Sequence, residues 1–220
     1  MAHSQGTQAS VAAAPPVTFS VSTAYRNYVI ALIWVVMLLR FVDLQIISVL
    51  LESIRKEFNV SDTQLGLLSG LAFALFYGTL GIPIGWLADR YNRRNIVAAA
   101  LGLWSAMTAV CGFAGTFAQL FLARVGVGVG EAGGQPPAYS LISDYVPAEK
   151  RSSVFAILSS AVPFGVFTGF IIGGWVSAIW GWRAAFMVVG IPGVLLAILI
   201  RLTLREPPRG FAERRAVETT

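Results

Sequence analysis

The sequence predicts an all-α polytopic membrane protein with six transmembrane helices and both termini in the cytoplasm. Three observations lead to this fold class: an apolar composition, long apolar runs, and basic residues concentrated at one set of connections. Of the 220 residues, 56% are hydrophobic and 12% are charged, which is about half the charged fraction of a soluble domain. The 22 glycines suit helices that pack closely in lipid.

Six apolar runs are each long enough to cross a hydrocarbon core, which is ~30 Å thick and takes about 20 helical residues. Helices satisfy every backbone polar group in lipid, and the runs are too long and continuous for the strands of a barrel. We therefore expect one lobe of six helices over residues 25–204. The predicted helices are Tyr28–Leu51, Thr63–Leu87, Asn95–Ala114, Gln119–Ser143, Ser153–Ile179 and Arg183–Leu202.

The two ends of the chain are polar. Residues 1–24 lack the basic start and continuous apolar core of a signal peptide, so we expect a disordered cytoplasmic tail. Residues 205–220 are rich in arginine and form either a basic cytoplasmic tail or the start of a linker to a second lobe.

The distribution of Lys and Arg predicts the orientation. One set of connections, together with the C-terminal tail, holds eleven of these residues, and the other set holds three. Because basic connections stay in the cytoplasm, we expect both termini inside, in a cell's inner (plasma) membrane. The eleven are Arg26, Arg90, Arg93, Arg94, Lys150, Arg151, Arg201, Arg205, Arg209, Arg214 and Arg215, and the three are Arg55, Lys56 and Arg183.

Two of the cytoplasmic connections resemble each other. One contains Asp89, Arg90, Arg93 and Arg94, and the other contains Asp144 followed by Lys150 and Arg151. Both place an acid before basic residues, and the helices that precede them run in the same direction. This repeat favours two three-helix units, a common way to build transporters.

Four charged residues lie inside the apolar segments: Arg40, Asp43, Arg124 and Glu131. Each costs roughly 2.5–3.5 kcal/mol at mid-membrane, so each needs a partner or water. Arg40 and Asp43 are three residues apart and can pair locally. Arg124 and Glu131 are seven apart, which puts them on one helix face about 10 Å apart.

These four charges have two interpretations. Apolar surroundings favour a neutral carboxyl group, whereas a nearby arginine favours the ionised form. An acid and an arginine at similar depth on two helices can therefore exchange partners when a proton arrives, which is a proton-coupling function. The alternative is a static ion pair that joins the first and fourth helices. Intramembrane ionisable groups favour the functional interpretation.

The glycine patterns predict close helix contacts. Gly126, Gly128 and Gly130 alternate along the fourth helix, where small residues let another helix approach. The string Gly128-x-Gly130-x-x-Gly133 matches a dinucleotide-binding pattern, but that pattern needs a strand before it and a helix after it. Pro136-Pro137 follow and should bend or break the helix. Further packing stripes are Gly81-x-x-x-Gly85 and Gly165-x-x-x-Gly169-x-x-x-Gly173.

Several function classes are excluded by composition. The single histidine, His3, lies in the tail, which argues against His-based metal sites and His-dependent catalysis. We therefore expect no enzyme activity, no metal and no cofactor. The basic residues sit at the ends of apolar runs rather than in a patch, so nucleic acid is not an expected partner.

The motifs carry a family resemblance. The string Gly85-x-Leu-Ala-Asp89-Arg90-x-x-Arg93-Arg94 resembles the signature loop between helices 2 and 3 of the major facilitator superfamily. Arg124 and its alternating glycines resemble the fourth-helix motif. Longer strings resemble the Spinster-like branch: Phe41-Val-Asp43, Ser61-Asp-Thr-Gln-Leu-Gly-Leu-Leu-Ser-Gly70, Gly130-Glu-Ala-Gly-Gly-Gln-Pro-Pro137, Ser143-Asp-Tyr145 and Arg205-Glu-Pro-Pro-Arg-Gly210.

The resemblance implies the N-terminal half of a twelve-helix transporter that works by alternating access. Spinster-like members are associated with lysophospholipid or sphingolipid-type amphiphiles, and bacterial members with proton coupling. Asp43, Glu131 and Arg124 fall at positions tied to coupling and cavity charge. The family commonly has an arginine directly after the first-helix acid, where this chain has Leu44, and Arg40 is a substitute one turn earlier.

The implied partners are the lipid bilayer, a lipid-like or small organic substrate, a proton and a second six-helix lobe. The resemblance makes Gly85, Asp89, Arg90, Arg93 and Arg94 an inner gate whose partner helix belongs to that lobe. Because the sequence ends at Thr220, it is either a truncated transporter or a half-size chain. The alternative function is a non-transporting membrane subunit or sensor that pairs with another lobe.

Overall fold

The computed structural model describes residues 21–211 and is helical throughout. Within that part the chain has eight α-helices and two π-helical segments and contains no strand. Predictions about residues 1–20 and 212–220 lie outside the described residues. The side chains of residues 71–73, 75, 76, 88 and 89 also lie outside the description.

The helices follow one another with short connections. The turns after Phe58, Arg90, Cys111 and Tyr145 are each at most five residues long, which makes the flanking helices neighbours. The elements are α1 Thr23–Phe58, α2 Asp62–Gly66, π1 Leu67–Leu71, α3 Ala72–Arg90, α4 Arg93–Cys111, α5 Phe117–Ala132, α6 Gln135–Tyr145, α7 Ala148–Ile171, π2 Ile172–Val176 and α8 Ser177–Thr203.

The turn between α1 and α2 has clear local causes. Asn59 ends α1 with φ 51°, a left-handed conformation that asparagine tolerates better than most residues. Ser61 then caps α2: its side chain accepts from the Gln64 amide at 3.3 Å. The Gln64 side chain accepts in return from the Ser61 amide at 2.9 Å, so both free amides of the first turn are satisfied.

The predicted fourth helix is two helices in the structure. The chain leaves α5 at Gly133 and starts α6 at Gln135, so the break precedes the two prolines instead of falling on them. Pro136 and Pro137 occupy the first turn of α6. That turn has no intrahelical partner for its amides, so the missing N–H groups of the prolines cost nothing there.

The last two predicted segments run into one long helical stretch. Gly181 interrupts α8 with φ 81° and ψ 165°, a conformation that residues with a side chain rarely adopt. It separates the segments where the sequence predicts a turn. By length and composition, three helical stretches among the described residues could span a membrane: Thr23–Phe58, Arg93–Cys111 and the 56-residue Ala148–Thr203.

Close helix contacts depend on glycine at several positions. An added Cβ at Gly165 would lie 2.7 Å from the Leu38 carbonyl oxygen, and one at Gly169 would lie 3.1 Å from that of Val42. The stripe that these two form with Gly173 therefore packs α7 and π2 directly on α1. The predicted stripe at Gly81 and Gly85 differs, because a Cβ at either would meet nothing within 4 Å among the described residues.

The start of α1 and the end of α8 lie at the same end of the bundle. The Tyr25 hydroxyl donates to the Thr203 carbonyl oxygen at 2.9 Å, and the Tyr28 hydroxyl bonds to the Thr203 hydroxyl at 2.7 Å. We call this the terminal end. At the opposite end, which we call the far end, Arg183 binds the Ala114 carbonyl oxygen at 2.8 Å.

Candidate functional site

The four charges inside the apolar segments form two ion pairs between α1 and α5. The Arg40 Nε atom donates to Glu131 Oε2 at 2.9 Å, and Arg124 Nη1 donates to Asp43 Oδ2 at 2.9 Å. All four side chains are buried, and Glu131 is 0% exposed. The local Arg40–Asp43 pair that the spacing allows is not formed, because each charge has a partner on the facing helix.

The Asp43 carboxylate is fully satisfied. One oxygen binds Arg124, and the other accepts a hydrogen bond from the Thr108 hydroxyl of α4 at 2.5 Å. Asp43 is 1% exposed. Three helices therefore converge on this carboxylate, which fits the strict need to satisfy a buried charge.

Arg40 lies in a more polar and more open setting. Its Nη1 atom donates to the Gln135 side-chain oxygen at 3.2 Å, and its guanidinium lies 5.2 Å from the centre of the Tyr77 ring. The Tyr77 hydroxyl donates to the same Gln135 oxygen at 3.2 Å, and Gln135 donates to the Tyr139 hydroxyl at 3.2 Å. These half-buried groups link the Arg40–Glu131 pair to the surface of the lobe.

Two buried polar atoms in these pairs have no hydrogen-bond partner among the described residues. They are Glu131 Oε1 and Arg124 Nε. A buried polar atom without a partner costs about 1–3 kcal/mol, and more for a charged group. Within the described part of the chain, each pair thus contains one atom whose hydrogen-bonding capacity is unused.

The glycines beside Glu131 set the spacing of the pairs. A Cβ on Gly130 would lie 2.6 Å from the Trp104 amide nitrogen of α4, and one on Gly126 would lie 2.8 Å from the Met107 side chain. Gly128 is buried on the same helix. Replacing Gly126 or Gly130 would push α5 away from α4 and displace the acid that Arg40 binds.

The motif between α3 and α4 is organised around Arg93 at the terminal end. Arg93 is 3% exposed and binds Asp144 at 2.5 Å and Glu206 at 2.8 Å. It also donates to the Ser140 hydroxyl at 2.9 Å and to the Pro207 carbonyl oxygen at 3.1 Å. A single guanidinium therefore ties α4 to α6 and to the segment after α8.

The other members of this motif have different surroundings. The Arg94 amide donates to Glu206 at 2.8 Å, and its guanidinium donates to the Leu204 carbonyl oxygen at 3.2 Å. The Arg90 guanidinium stacks on the Trp86 ring, 3.9 Å from its centre. The Asp89 side chain lies outside the described residues. Gly85 lies in α3 without a close neighbour among the residues described.

Sequence reasoning missed several residues of both regions. Thr108, Tyr77 and Gln135 are polar residues in otherwise apolar segments, and that contrast is the signal that finds them. In the sequence, Asp144 and Glu206 stand out only as members of longer motifs. Both lie beside arginines at helix ends, and an acid is needed there to neutralise a buried guanidinium.

Comparison with known proteins agrees with the motifs. The family model for the Major Facilitator Superfamily matches residues 33–219. An MFS-type efflux pump of Mycolicibacterium smegmatis is 36% identical over 166 residues, which cover 76% of this chain and 39% of that protein. Protein spinster homolog 1 of Homo sapiens is 35% identical over 189 residues, which cover 84% of this chain and 36% of that protein.

A solved structure shares the fold. It is a bacterial homolog of the human lysosomal transporter Spinster in an inward-facing, occupied conformation, 39% identical to this chain with a TM-score of 0.83. The match covers 89% of this chain and 48% of that one. The chain thus spans less than half the length of these relatives. It belongs to the major facilitator superfamily, in the Spinster-like branch.

Proposed function

We propose that this chain is the N-terminal six-helix lobe of a secondary active transporter that couples transport to protons by alternating access. The observation that carries the proposal is the presence of two buried ion pairs between α1 and α5, Arg40–Glu131 and Arg124–Asp43. Buried charges on facing helices, incompletely satisfied, form an element that can rearrange when one proton binds. Relatives described as an efflux pump and as a homolog of a lysosomal transporter support transport as the activity.

The proposed topology has six crossings and cytoplasmic termini in a cell's inner membrane. Three helical stretches among the described residues, which contain four of the six predicted segments, have the length and composition of a span. The break at Gly181 divides the longest of these into two crossings. The terminal end carries most of the arginines, which favours placing it in the cytoplasm.

The proposed proton acceptor is Glu131. Its Oε1 atom has no partner among the described residues, whereas both oxygens of Asp43 accept hydrogen bonds. A proton on Glu131 would remove the charge that holds Arg40. Arg40 keeps its contact with Gln135 and can turn toward Asp43, three residues along α1, which in turn weakens the hold on Arg124. Proton binding thus alters the attachment of α1 to α5.

The proposed substrate is an amphiphilic, lipid-like or small organic molecule. The half-buried polar groups Tyr77, Gln135 and Tyr139 offer hydrogen bonds next to the coupling pair, among otherwise apolar helices. A second six-helix lobe, on the same chain or another, would complete the cavity. Within this proposal, Gly85, Asp89, Arg90, Arg93 and Arg94 form the inner gate: the exposed Arg90 meets that lobe, and the buried Arg93 anchors the motif to α6.

The test compares Glu131→Gln and Asp43→Asn in the complete transporter. Reconstituted vesicles with an imposed pH gradient are assayed for uptake of a lysophospholipid probe and for gradient-free exchange of the same probe. We expect both variants to lose uptake driven by the gradient, and Glu131→Gln to retain exchange, because its amide still accepts from Arg40. Arg55→Gln is the control, since Arg55 forms an exposed ion pair with Asp62.

Full gradient-driven uptake in both variants would contradict proton coupling through these acids. Absence of any flux in the unchanged protein, together with co-purification of another membrane protein, would instead favour a non-transporting subunit or sensor.

A further inference from the structure

A groove between α1 and α7 opens beside the terminal end of the bundle. Its volume is about 620 Å³, within the range of small-molecule sites. Residues from Arg26 to Trp34 form one wall, and residues from Lys150 to Ser160 form the other. It is separate from both ion-pair regions, because none of their charged residues lines it.

One end of the groove is positively charged. Arg26 lies in the first turn of α1, and Lys150 lies in the first turn of α7. No hydrogen bond or ion pair holds either side chain within the described part of the chain. Cations are unfavourable at helix N-termini, where the macrodipole is already positive, so this end attracts an anion. The nearby acid is Glu149, which is exposed and does not line the groove.

The rest of the groove is apolar. Ile30, Ala31, Val154 and Ile157 line its length. At its inner end the Trp34 indole N–H donates to the Ser160 hydroxyl at 3.0 Å, and that hydroxyl donates to the Ile157 carbonyl oxygen at 2.6 Å. These polar groups are satisfied within the protein, so a ligand at this end needs no polar group to pair with them.

We propose that the groove binds one anionic phospholipid from the leaflet at the terminal end of the bundle. The phosphate binds Arg26 and Lys150, and the Asn27 side chain adds a hydrogen bond. One acyl chain lies along the apolar wall toward Trp34. The charge pattern selects this occupant over a zwitterionic lipid, because two cations that have no partner among the described residues line the groove, and none of its lining residues is an acid. An apolar helix would leave both cations uncompensated.

The inference is independent of transport, since it requires only that the chain sits in a bilayer. Anionic lipids attract basic residues at the membrane surface even without a pocket. Binding in the groove differs from that general attraction in two ways. Lipid retention depends on which two cations are removed, and it depends on the shape of the groove.

The experiment measures lipid retention by native mass spectrometry. The complete protein is placed in nanodiscs with equal amounts of phosphatidylglycerol and phosphatidylcholine and then released. We expect one retained phosphatidylglycerol. Replacing both cations (Arg26→Gln with Lys150→Gln) should lower its retention about 30-fold, the effect of two surface charges. The swap Arg26→Lys with Lys150→Arg keeps the charge and should keep the lipid.

The matched control replaces another arginine and lysine, Arg55→Gln with Lys56→Gln at the far end of α1. It removes the same net charge and should leave retention unchanged. A groove-filling change, Ala31→Trp, should lower retention although all charges remain. Equal loss in the control pair, or normal retention with Trp at position 31, would overturn binding in the groove and leave only surface attraction.

Two further outcomes would overturn the choice of occupant. Displacement of the lipid by soluble glycerol phosphate at millimolar concentration would identify a site for the phosphate group alone. A photo-crosslinker at position 31 that captures a protein segment instead of lipid would identify the groove as a helix contact.

Discussion

Two arginine clusters in this protein solve the same electrostatic problem differently. In the membrane-buried cluster, Arg40 and Arg124 each have one carboxylate partner, and one atom in each pair has no partner among the described residues. At the terminal end, Arg93 binds two carboxylates, a hydroxyl and backbone oxygens. Both regions are buried, but among the described residues only the second has acceptors for all three nitrogens of an arginine side chain.

The difference indicates which region can rearrange. A guanidinium held by several groups from two other elements loses all of them if it moves, so the Arg93 cluster favours one arrangement. Arg40 has alternatives within reach: Glu131 and Gln135 hold it now, and Asp43 is three residues away on its own helix. We therefore assign the movable element to the buried pairs and the fixed element to Arg93.

The largest expected effect on stability comes from Asp43→Ala. It leaves Arg124 buried without its carboxylate partner, and breaking a buried ion pair typically costs about 3–5 kcal/mol. Water cannot reach the site easily, because Asp43 and Arg124 are 1% and 2% exposed. Equilibrium unfolding of the protein in mixed micelles measures the loss. The double variant with Arg124→Leu should recover part of it, and a single-variant loss under about 1 kcal/mol would contradict the pairing.

The four buried charges were identifiable from sequence because charge is rare in apolar segments. Their pairing was not, since the choice between Asp43 and Glu131 for Arg40 depends on how α1 and α5 are rotated against each other. Local spacing allows an Arg40–Asp43 pair, but in the structure each of these residues pairs with a charge on the facing helix. Hydropathy locates the helices only approximately: α1 begins five residues before and ends seven residues after its predicted segment, and the break before α6 falls at the glycines and not at the prolines.

The Arg93 cluster was less accessible to sequence reasoning. In the sequence, Arg90, Arg93 and Arg94 are three basic residues that nothing distinguishes from one another. Only the structure shows that Arg90 is exposed and Arg93 is buried. Its partner Glu206 is 113 residues away. Acid and base that far apart can be matched only when the fold brings α8 back beside α4.

A smaller effect is expected from Arg93→Met. It leaves Asp144 and Glu206 without their cation, but Glu206 has a 22% exposed side chain, and Asp144 still accepts from the Gly210 amide at 2.9 Å. Water and this amide reduce the loss to about 1.5–3 kcal/mol, the range for hydrogen bonds to charged groups.

A second measurement tells whether Arg93 holds the segment after α8 locally or only contributes to global stability. The segment after α8 is held by Arg93 and Arg94, so Arg93→Met should speed trypsin cleavage after Arg205 or Arg209 under native conditions. Asp43→Ala should not accelerate cleavage there beyond its effect on global unfolding. Equal cleavage rates in Arg93→Met and the unchanged protein would show that Arg93 does not hold the segment after α8 in place.

The smallest expected effect comes from the ion pair at the far end, which adds a solvent-exposed pair to the comparison of the two buried regions. Arg183 binds Glu57 at 2.6 Å, and the two side chains are 36% and 41% exposed. Solvent screens such a pair, so Arg183→Gln should cost about 0.2–1 kcal/mol in unfolding experiments. The loss should shrink further at high salt, whereas that of Asp43→Ala should hold. A loss of several kcal/mol at Arg183 would mean that burial does not set the order of the three pairs. The hydrogen bond from Arg183 to the Ala114 carbonyl oxygen would then be the stronger contribution.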